Sequence, residues 1–262
     1  MKLRPRDGWR VFSGEVGVIV LGVLIALVAQ QVAEDWQWRQ NVARTKSDLN
    51  AQISAAVANS AERAAVDPCL SQRLSQLAIK VAASRGEWTG DPYILPGERS
   101  VKEFVRYAVP LVYRTPDRDF PDDVWQQAKA GGVLAHMTPA DIPRYADAFA
   151  MISTLRSLRD TESDWQAELS FLAFDGPLGS SDRSRALSAI SKLDIVNRKT
   201  LNAAGGLVEA AKAVGASLTP ADEKMLFGFL DFQRAFRGQC VDRAASLKLI
   251  ASIRAPIASR AK

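Results

Sequence analysis

Residues 14–31 read GEVGVIVLGVLIALVAQQ and form the longest apolar run in this chain of 262 residues. The strictly apolar part, residues 16–29, has 14 residues, a length typical of a core helix or of the apolar region of a signal peptide. Uncharged flanks extend it, because Glu15 is the only ionisable residue between Val11 and Ala33. Those 23 residues are enough to cross a bilayer with some tilt.

Tryptophans lie on both sides of the apolar run, with Trp9 before it and Trp36 and Trp38 after it. Trp9 and Trp36 are 27 residues apart, or about 40 Å along a helix. A bilayer with its headgroup zones is roughly 40–45 Å thick, and tryptophan favours those zones. We therefore expect a transmembrane helix over residues 11–33, with these three tryptophans as interfacial anchors.

The run lacks a convincing cleavage site, because a signal peptidase needs small residues at positions −3 and −1. Cleavage after Ala29 would place Leu27 at −3, and cleavage after Ala33 would place Gln31 there. Residues 1–10 carry a net charge of +3, whereas the charges of residues 34–48 sum to zero. The positive-inside rule then predicts a basic cytoplasmic tail at residues 1–10, a bacterial inner-membrane anchor and a periplasmic remainder. A cleaved signal peptide and a soluble core helix are the alternatives.

One face of the expected anchor combines a carboxylate with small residues. Gly22, Ala26, Ala29 and Ala33 follow one another at spacings of four, three and four, and Glu15 lies one heptad before Gly22. Small residues permit close helix contacts in membranes, and intramembrane carboxylates are often functional. This face is therefore a candidate for contact with another membrane helix or a second copy of the chain. Alternatively, Glu15 reaches the headgroups and pairs with Arg10.

The apolar run and the residues around it resemble a family of uncharacterised bacterial single-pass inner-membrane proteins, known only as a domain of unknown function. The family pattern is Gly-Glu, six apolar residues, then Gly-(Ile/Val)-Leu-Ile-Ala-Leu, and residues 14–15 and 22–27 fit it. A second stretch, VWQQAKAGGVLAHMTPADIPRYADAF, is similar to the later part of such proteins. The exit QQVAEDWQW departs from the usual Asn-rich exit. The resemblance implies an anchor and a helical extracytoplasmic domain, and it implies no activity.

The rest of the chain predicts an all-α fold, with an antiparallel helical bundle after the membrane helix. Residues 34–66 are expected to continue the membrane helix into the soluble part. Asp67 and Pro68 look like the N-cap and first position of a new helix, which opens a periplasmic domain over residues 67–262. Residues 85–99 are rich in Gly and Pro and predict a loop. Residues 101–115 are compatible with a short helix or a strand.

The tetrapeptide TPAD occurs twice, at residues 138–141 and 219–222, and we interpret it as a helix start rather than a duplicated site. The apolar residues that follow have helical spacing and predict core-facing stripes. These are Ile142, Tyr145, Phe149 and Ile152 in the first helix, and Met225, Phe229, Phe232 and Phe236 in the second. Between them, Ser181 is the expected cap of a helix that reaches Val214 and is closed by Gly215.

The two cysteines, Cys69 and Cys240, predict a disulfide if the domain is periplasmic, because that compartment is oxidising. The bridge would connect the beginning of the soluble domain to its end. The alternative is two buried thiols.

The sequence contains no recognisable catalytic signature. His136 is the single histidine and has no evident metal-ligand partner. The preceding Gly131 and Gly132 are expected to end a helix. The carboxylates of residues 117–123 lack the spacing of a calcium loop, and Asp122 and Asp123 suit a helix start. The net charge of +5 includes no basic block dense enough for a nucleic-acid groove.

We therefore expect no metal, cofactor or enzymatic activity, and a role through the bilayer and protein partners. The preferred interpretation is an accessory subunit, tether or scaffold of a membrane complex. One alternative is a ligand-sensing or ligand-binding bundle that needs a partner for output, because only about ten residues remain in the cytoplasm. Another is a hydrolase whose active site matches no known motif.

Overall fold

The computed structural model describes residues 9–94 and 110–254, with side chains from Val16 onward. These residues form six α-helices and almost no strand, which confirms the all-α prediction. The helices are α1 (Trp9–Ala83), α2 (Asp123–Ala130), α3 (Asp141–Glu168), α4 (Ser180–Val214), α5 (Pro220–Arg237) and α6 (Arg243–Ile250). Short 3-10 turns cover Val133–His136, Ser170–Ala173, Gly238–Cys240 and Ala251–Ile253.

Helix α1 has 75 residues and is therefore about 110 Å long. From Val16 to residue 48 its side chains are mostly exposed, and from Leu49 onward many of them are buried. The buried half packs against α4, α5 and α6, while α3 packs along α4. One uninterrupted helix therefore contains the apolar run and also supplies the centre of the bundle.

The predicted helix start at Asp67 and Pro68 is wrong, because α1 continues through both residues to Ala83. Proline has no N–H and removes one backbone hydrogen bond from a helix interior. Burial on both sides of Pro68 holds the helix together, since Val66 and Leu70 are almost fully enclosed. The Asp242 amide also donates to the Ala65 carbonyl at 2.7 Å. Packing against neighbouring helices therefore outweighs the helix-start preference of Asp67 and Pro68. The expected domain boundary between residues 66 and 67 lies inside α1.

The two TPAD segments both mark a helix start, as predicted, but with different geometry. At the second, Thr219 and Asp222 form a complete capping box with Pro220 at the first helical position. At the first, α3 begins only at Asp141, whose amide donates to the Thr138 hydroxyl at 3.3 Å.

The boundaries of α4 and α2 follow the glycines. Helix α4 ends at Val214, and Gly215 closes it with a left-handed φ of 73°, as predicted. Its start at Ser180 follows Gly179 without a side-chain cap, so the expected cap by Ser181 is wrong. Gly131 ends α2 as predicted, and Asp123 begins it.

The core prediction is correct for α3 and wrong for α5. Tyr145, Phe149 and Ile152 are buried and Ile142 packs against them. In α5, by contrast, Phe232 is 57 % and Met225 38 % exposed. Residues of α5 recur at spacings of three and four along two neighbouring faces of the helix. The buried face carries Glu223, Leu226, Leu230 and Gln233. That face is preferred because its polar members find partners inside, whereas Phe229 is covered by the Arg118 guanidinium at 3.7 Å.

The connections add a two-stranded ribbon and a long irregular segment. Strand β1 (Glu87–Trp88), which lies within the predicted loop 85–99, pairs antiparallel with β2 (Gly176–Pro177). Most of the ambiguous stretch 101–115 lies outside the described residues. Residues 110–122, called the connecting segment below, contain no helix or strand. Asn59 donates to the Asp119 carbonyl at 3.0 Å, which holds this segment against α1.

Candidate functional site

The small-residue face of α1 lies on the exposed part of the helix. Gly22, Ala26, Ala29 and Ala33 are all exposed, and a Cβ added at Gly22 would meet nothing within 4 Å. The helix contains a window with a mean hydropathy of 2.4, none of which is buried. The side chains of Trp9, Arg10 and Glu15 lie outside the described part of the chain. The face is therefore accessible to a partner, but its carboxylate is not placed.

The expected interfacial tryptophans behave differently from one another. Trp36 is 60 % exposed. Trp38 is half-buried because its ring stacks on His136, with centroids 3.9 Å apart and an interplanar angle of 11°. The single histidine of the chain therefore joins the 3-10 turn Val133–His136 to the part of α1 that follows the apolar run, a contact that sequence analysis missed.

An open pocket of about 470 Å³ lies beside this stack. We call it the Trp38–His136 pocket; it is lined by Asp35, Trp38, Arg39, Val42, Ala43, Lys46 and His136. Lys46 donates to the Asp141 carboxylate at 2.5 Å, and this contact attaches the start of α3 to α1. Together with a hydrogen bond from Thr138, it lowers the pKa of Asp141.

Cys69 and Cys240 lie at disulfide-bonding distance, with Cα atoms 5.0 Å apart and a sequence separation of 171. Their placement agrees with the predicted bridge. Cys69 lies in the middle of the buried half of α1, and Cys240 in the turn between α5 and α6. The bridge attaches the C-terminal helices directly to the helix that carries the apolar run.

A belt of buried polar side chains crosses the bundle at the level of Glu62 and Arg63. We call it the polar belt; its buried members are Glu62, Arg63, Glu162, Asn197 and Gln233. Arg63 donates to Glu162 at 2.5 Å and also to the Asn197 amide oxygen. Burial of charge is costly unless it is paired and hydrogen-bonded, and the belt provides that pairing between α1, α3 and α4.

The other half of the belt connects α1 to α5. Glu62 is fully buried and accepts hydrogen bonds from Arg118 at 2.7 Å and from Gln233 at 2.9 Å. Arg237 continues the chain of contacts by donating to Gln233 at 2.7 Å and to the Arg114 carbonyl at 2.9 Å. Two adjacent residues of α1, with opposite charges, thus bond to different helices: Arg63 to α3 and α4, and Glu62 to α5.

The connecting segment lies over the belt and bonds to it. Tyr113 is fully buried, and its hydroxyl exchanges hydrogen bonds with Asn197 at 2.8–3.0 Å. Burial is the main reason that the pKa of Tyr113 is raised to about 12. Thr115 donates to Glu162 at 2.8 Å and accepts from Gln166 at 2.9 Å. The belt therefore extends from the core to the surface through Thr115 and Gln166.

Two openings lie beside this route. The first is a polar groove of about 440 Å³, lined by Leu111, Arg114, Thr115, Asp117, Asp119, Arg159, Asp160, Ser163 and Gln166. The second is a cavity of about 20 Å³ next to Arg63, whose Nη1 has no hydrogen-bond partner. That volume has room for one water molecule, which would satisfy this buried donor.

Among the carboxylates of residues 117–123, Asp119 and Asp122 form ion pairs, and Asp123 accepts a hydrogen bond from Gln52. Arg159 contacts Asp119 at 2.5 Å, and Arg156 contacts Asp122 at 2.9 Å. Hydrogen bonds from Gln126 and Arg156 lower the pKa of Asp122. Within the residues that the structure describes, no group of three or more His, Cys, Asp or Glu side chains could hold a metal ion.

Sequence reasoning missed the polar belt, although a signal for it is present. Glu62 and Arg63 lie within AVANSAERAAV, where nearly every neighbour is a small apolar or small polar residue. Small residues on all sides of a helix indicate that other helices pack closely around it. Charges within such a helix must then be buried and need partners from those neighbours.

Comparison with known proteins gives no further identification. No protein-family model, curated protein or solved structure matches the chain significantly.

Proposed function

We propose that this chain is a single-pass bacterial inner-membrane protein whose helical domain lies in the periplasm. In this proposal its role is that of an accessory subunit, tether or scaffold of a membrane protein complex, without an enzymatic reaction. The family resemblance of residues 14–27 belongs to the same proposal. The observation that carries it is the apolar part of α1, which is exposed throughout and has no packing partner among the described residues.

Exposure of this segment argues against the soluble-core alternative. Val18, Ile19 and Val28 are each more than 60 % exposed, and so large an apolar surface is rarely left in contact with water. A bilayer or a partner helix would cover it. The charge difference between residues 1–10 and 34–48 supports an orientation with the N-terminus in the cytoplasm.

The continuity of α1 supports a tethering role. The helix leaves the apolar segment and enters the bundle core without a break, so no flexible linker separates the anchor from the domain. The continuous helix would therefore hold the periplasmic bundle at a defined height beside any partner that binds the anchor. The disulfide-distance pair and the polar belt both attach the rest of the bundle to this same helix.

Purification in a mild detergent, followed by proteomic identification of retained proteins, tests the proposal. We expect stoichiometric recovery of another inner-membrane protein with the wild-type chain. Ala26→Leu places bulk on the small-residue face and should lower this recovery severalfold. Val28→Leu is the matched control, because it adds bulk on the opposite side of the helix. Absence of any stoichiometric membrane partner would overturn the subunit role, and equal recovery with both variants would overturn contact through the small-residue face.

The alternative is a ligand-binding bundle, and the polar groove beside Thr115 and Gln166 favours it. Its volume is within the usual range of small-molecule sites, but typical sites are more apolar and more enclosed. The same purification distinguishes the two functions. A homogeneous monomer whose thermal transition rises in the presence of a periplasmic small-molecule extract would support ligand binding instead.

A further inference from the structure

We propose that the Trp38–His136 pocket binds the phosphate of an anionic phospholipid headgroup. This inference rests on the proposed membrane anchoring and goes beyond it by assigning a lipid site to residues of the soluble part. The site is formed where the 3-10 turn Val133–His136 meets α1 through the stack of His136 on Trp38.

The first observation in favour of a lipid site is the distance of the pocket from the expected membrane segment. The expected membrane segment ends at Ala33, and Trp38 follows five residues later, or about 7–8 Å along a helix. The headgroup zone on each side of the apolar core is roughly 5–8 Å thick. Because α1 continues as a helix through this region, the lower side of the pocket lies level with the lipid phosphates.

The second observation is that the side chains lining the pocket include donors suited to a phosphate. Arg39 and His136 provide N–H donors, and neither makes a hydrogen bond or ion pair to a residue in the described part of the chain. Lys46 adds a second cation near the top of the pocket, although it is already bonded to Asp141. Arg guanidinium groups suit phosphate because their planar N–H fork matches its oxygens.

The remaining lining residues fit a lipid better than a soluble anion. Trp38, Val42 and Ala43 give the pocket an apolar wall on α1, against which the glycerol and upper acyl region of a lipid would pack. Asp35 is the one carboxylate of the lining. It is four residues before Arg39 but forms no ion pair with it, so the guanidinium is left for the ligand.

Native mass spectrometry of the full chain tests this site. The protein is released from mixed micelles with equal phosphatidylglycerol and phosphatidylcholine, and the ratio of the two retained lipids is measured. We expect the wild type to retain phosphatidylglycerol preferentially. Arg39→Gln should lower that ratio about fivefold, because one basic residue near a membrane surface contributes about 1 kcal/mol. His136→Phe keeps an aromatic ring against Trp38 but removes the N–H donors, and it should lower the ratio as well.

Arg44→Gln is the matched control. Arg44 is exposed on α1, five residues from Arg39 and outside the pocket lining, so its loss should leave the ratio unchanged. An equal drop with Arg39→Gln and Arg44→Gln would show general surface attraction and overturn the site. Displacement of the retained lipid by millimolar glycerol phosphate would show that the ligand is a soluble phosphate, and this also overturns the lipid assignment.

A separate experiment tests whether the chain is anchored in the membrane. Resistance of the protein to alkaline extraction from membranes is measured before the lipid assay. An extractable protein would contradict the anchor, whereas an anchored protein without preference for phosphatidylglycerol would contradict only the headgroup site.

Discussion

The Arg63 guanidinium on α1 and the Glu162 carboxylate on α3 lie 2.5 Å apart, and both side chains are less than a tenth exposed. The pair connects the helix that carries the apolar run to a helix that begins 58 residues after that helix ends. Asn197 on α4 accepts a hydrogen bond from Arg63, and Thr115 in the connecting segment donates one to Glu162. Four separate parts of the chain thus converge on one buried charge pair.

Glu162→Gln should destabilise the bundle by about 3–5 kcal/mol, because it leaves the Arg63 charge buried without its partner. Urea unfolding of the full chain in mild detergent measures the change. Asp160→Asn, two residues earlier on the exposed surface, is the control and should change stability by less than about 0.5 kcal/mol. Replacing both partners, as in Arg63→Met with Glu162→Met, should recover much of the loss. Equal effects of Glu162→Gln and Asp160→Asn would contradict a structural role for the pair.

The unreduced protein should contain no free thiols, because its only two cysteines lie at disulfide-bonding distance. Thiol titration of the purified chain in denaturant gives this count directly, and two free thiols would contradict the bridge. Cys69→Ser with Cys240→Ser should lower stability by about 2–5 kcal/mol. The large separation of 171 residues places the expected loss toward the upper end, since longer loops lose more entropy on closure.

Asp91→Asn should weaken the bundle in a pH-dependent way. Burial alone would raise the pKa of Asp91, but hydrogen bonds from Lys80 and Arg73 outweigh burial and lower it. A carboxylate with a lowered pKa stabilises the fold above its unfolded pKa of about 3.9, and this contribution is lost as the pH falls through the folded pKa. The variant should therefore cost about 1–2 kcal/mol at pH 7 and approach the wild type below about pH 4.

Unfolding midpoints at several pH values check this prediction for Asp91. Asp231→Asn provides the comparison, because its pair with Arg243 is largely exposed and such pairs contribute little. A difference between Asp91→Asn and the wild type that persists unchanged at pH 3 would contradict the ionic origin of the effect.

Leu230→Ala and Phe232→Gln should separate the two faces of α5. Leu230 is fully buried, so its truncation should cost about 2–5 kcal/mol. Phe232 is 57 % exposed, so its replacement should change stability by about 0.5 kcal/mol or less. Thermal unfolding followed by circular dichroism measures both. A larger loss for Phe232→Gln would mean that the aromatic face, not the leucine face, is in the core.

Sequence patterns predicted the elements whose signals are local. The capping box at Thr219 and the glycine that closes α4 depend only on residues within one or two helical turns, and both are present. The signal at Asp67 and Pro68 was equally clear, yet α1 passes through it because neighbouring helices enclose Val66 and Leu70. The conformational preference of one or two residues contributes less to helix stability than the packing of the whole helix in a core.

The functional surfaces were harder to predict, because they are assembled from distant segments. The stack of Trp38 on His136 joins residues almost a hundred positions apart, and no spacing rule connects them. The polar belt draws on α1, α3, α4, α5 and the connecting segment. Only the charges at Glu62 and Arg63, placed among small residues, signal its presence in the sequence.

The central claim is that α1 is one helix that crosses the membrane and then forms the core of the bundle. Alkaline extraction of membranes from cells that express the full chain, followed by intact mass spectrometry of the pellet, tests it most directly. The account predicts an extraction-resistant protein with the full mass of 28.5 kDa. A protein found in the supernatant, or one whose mass shows that the apolar N-terminal segment has been removed, would contradict it.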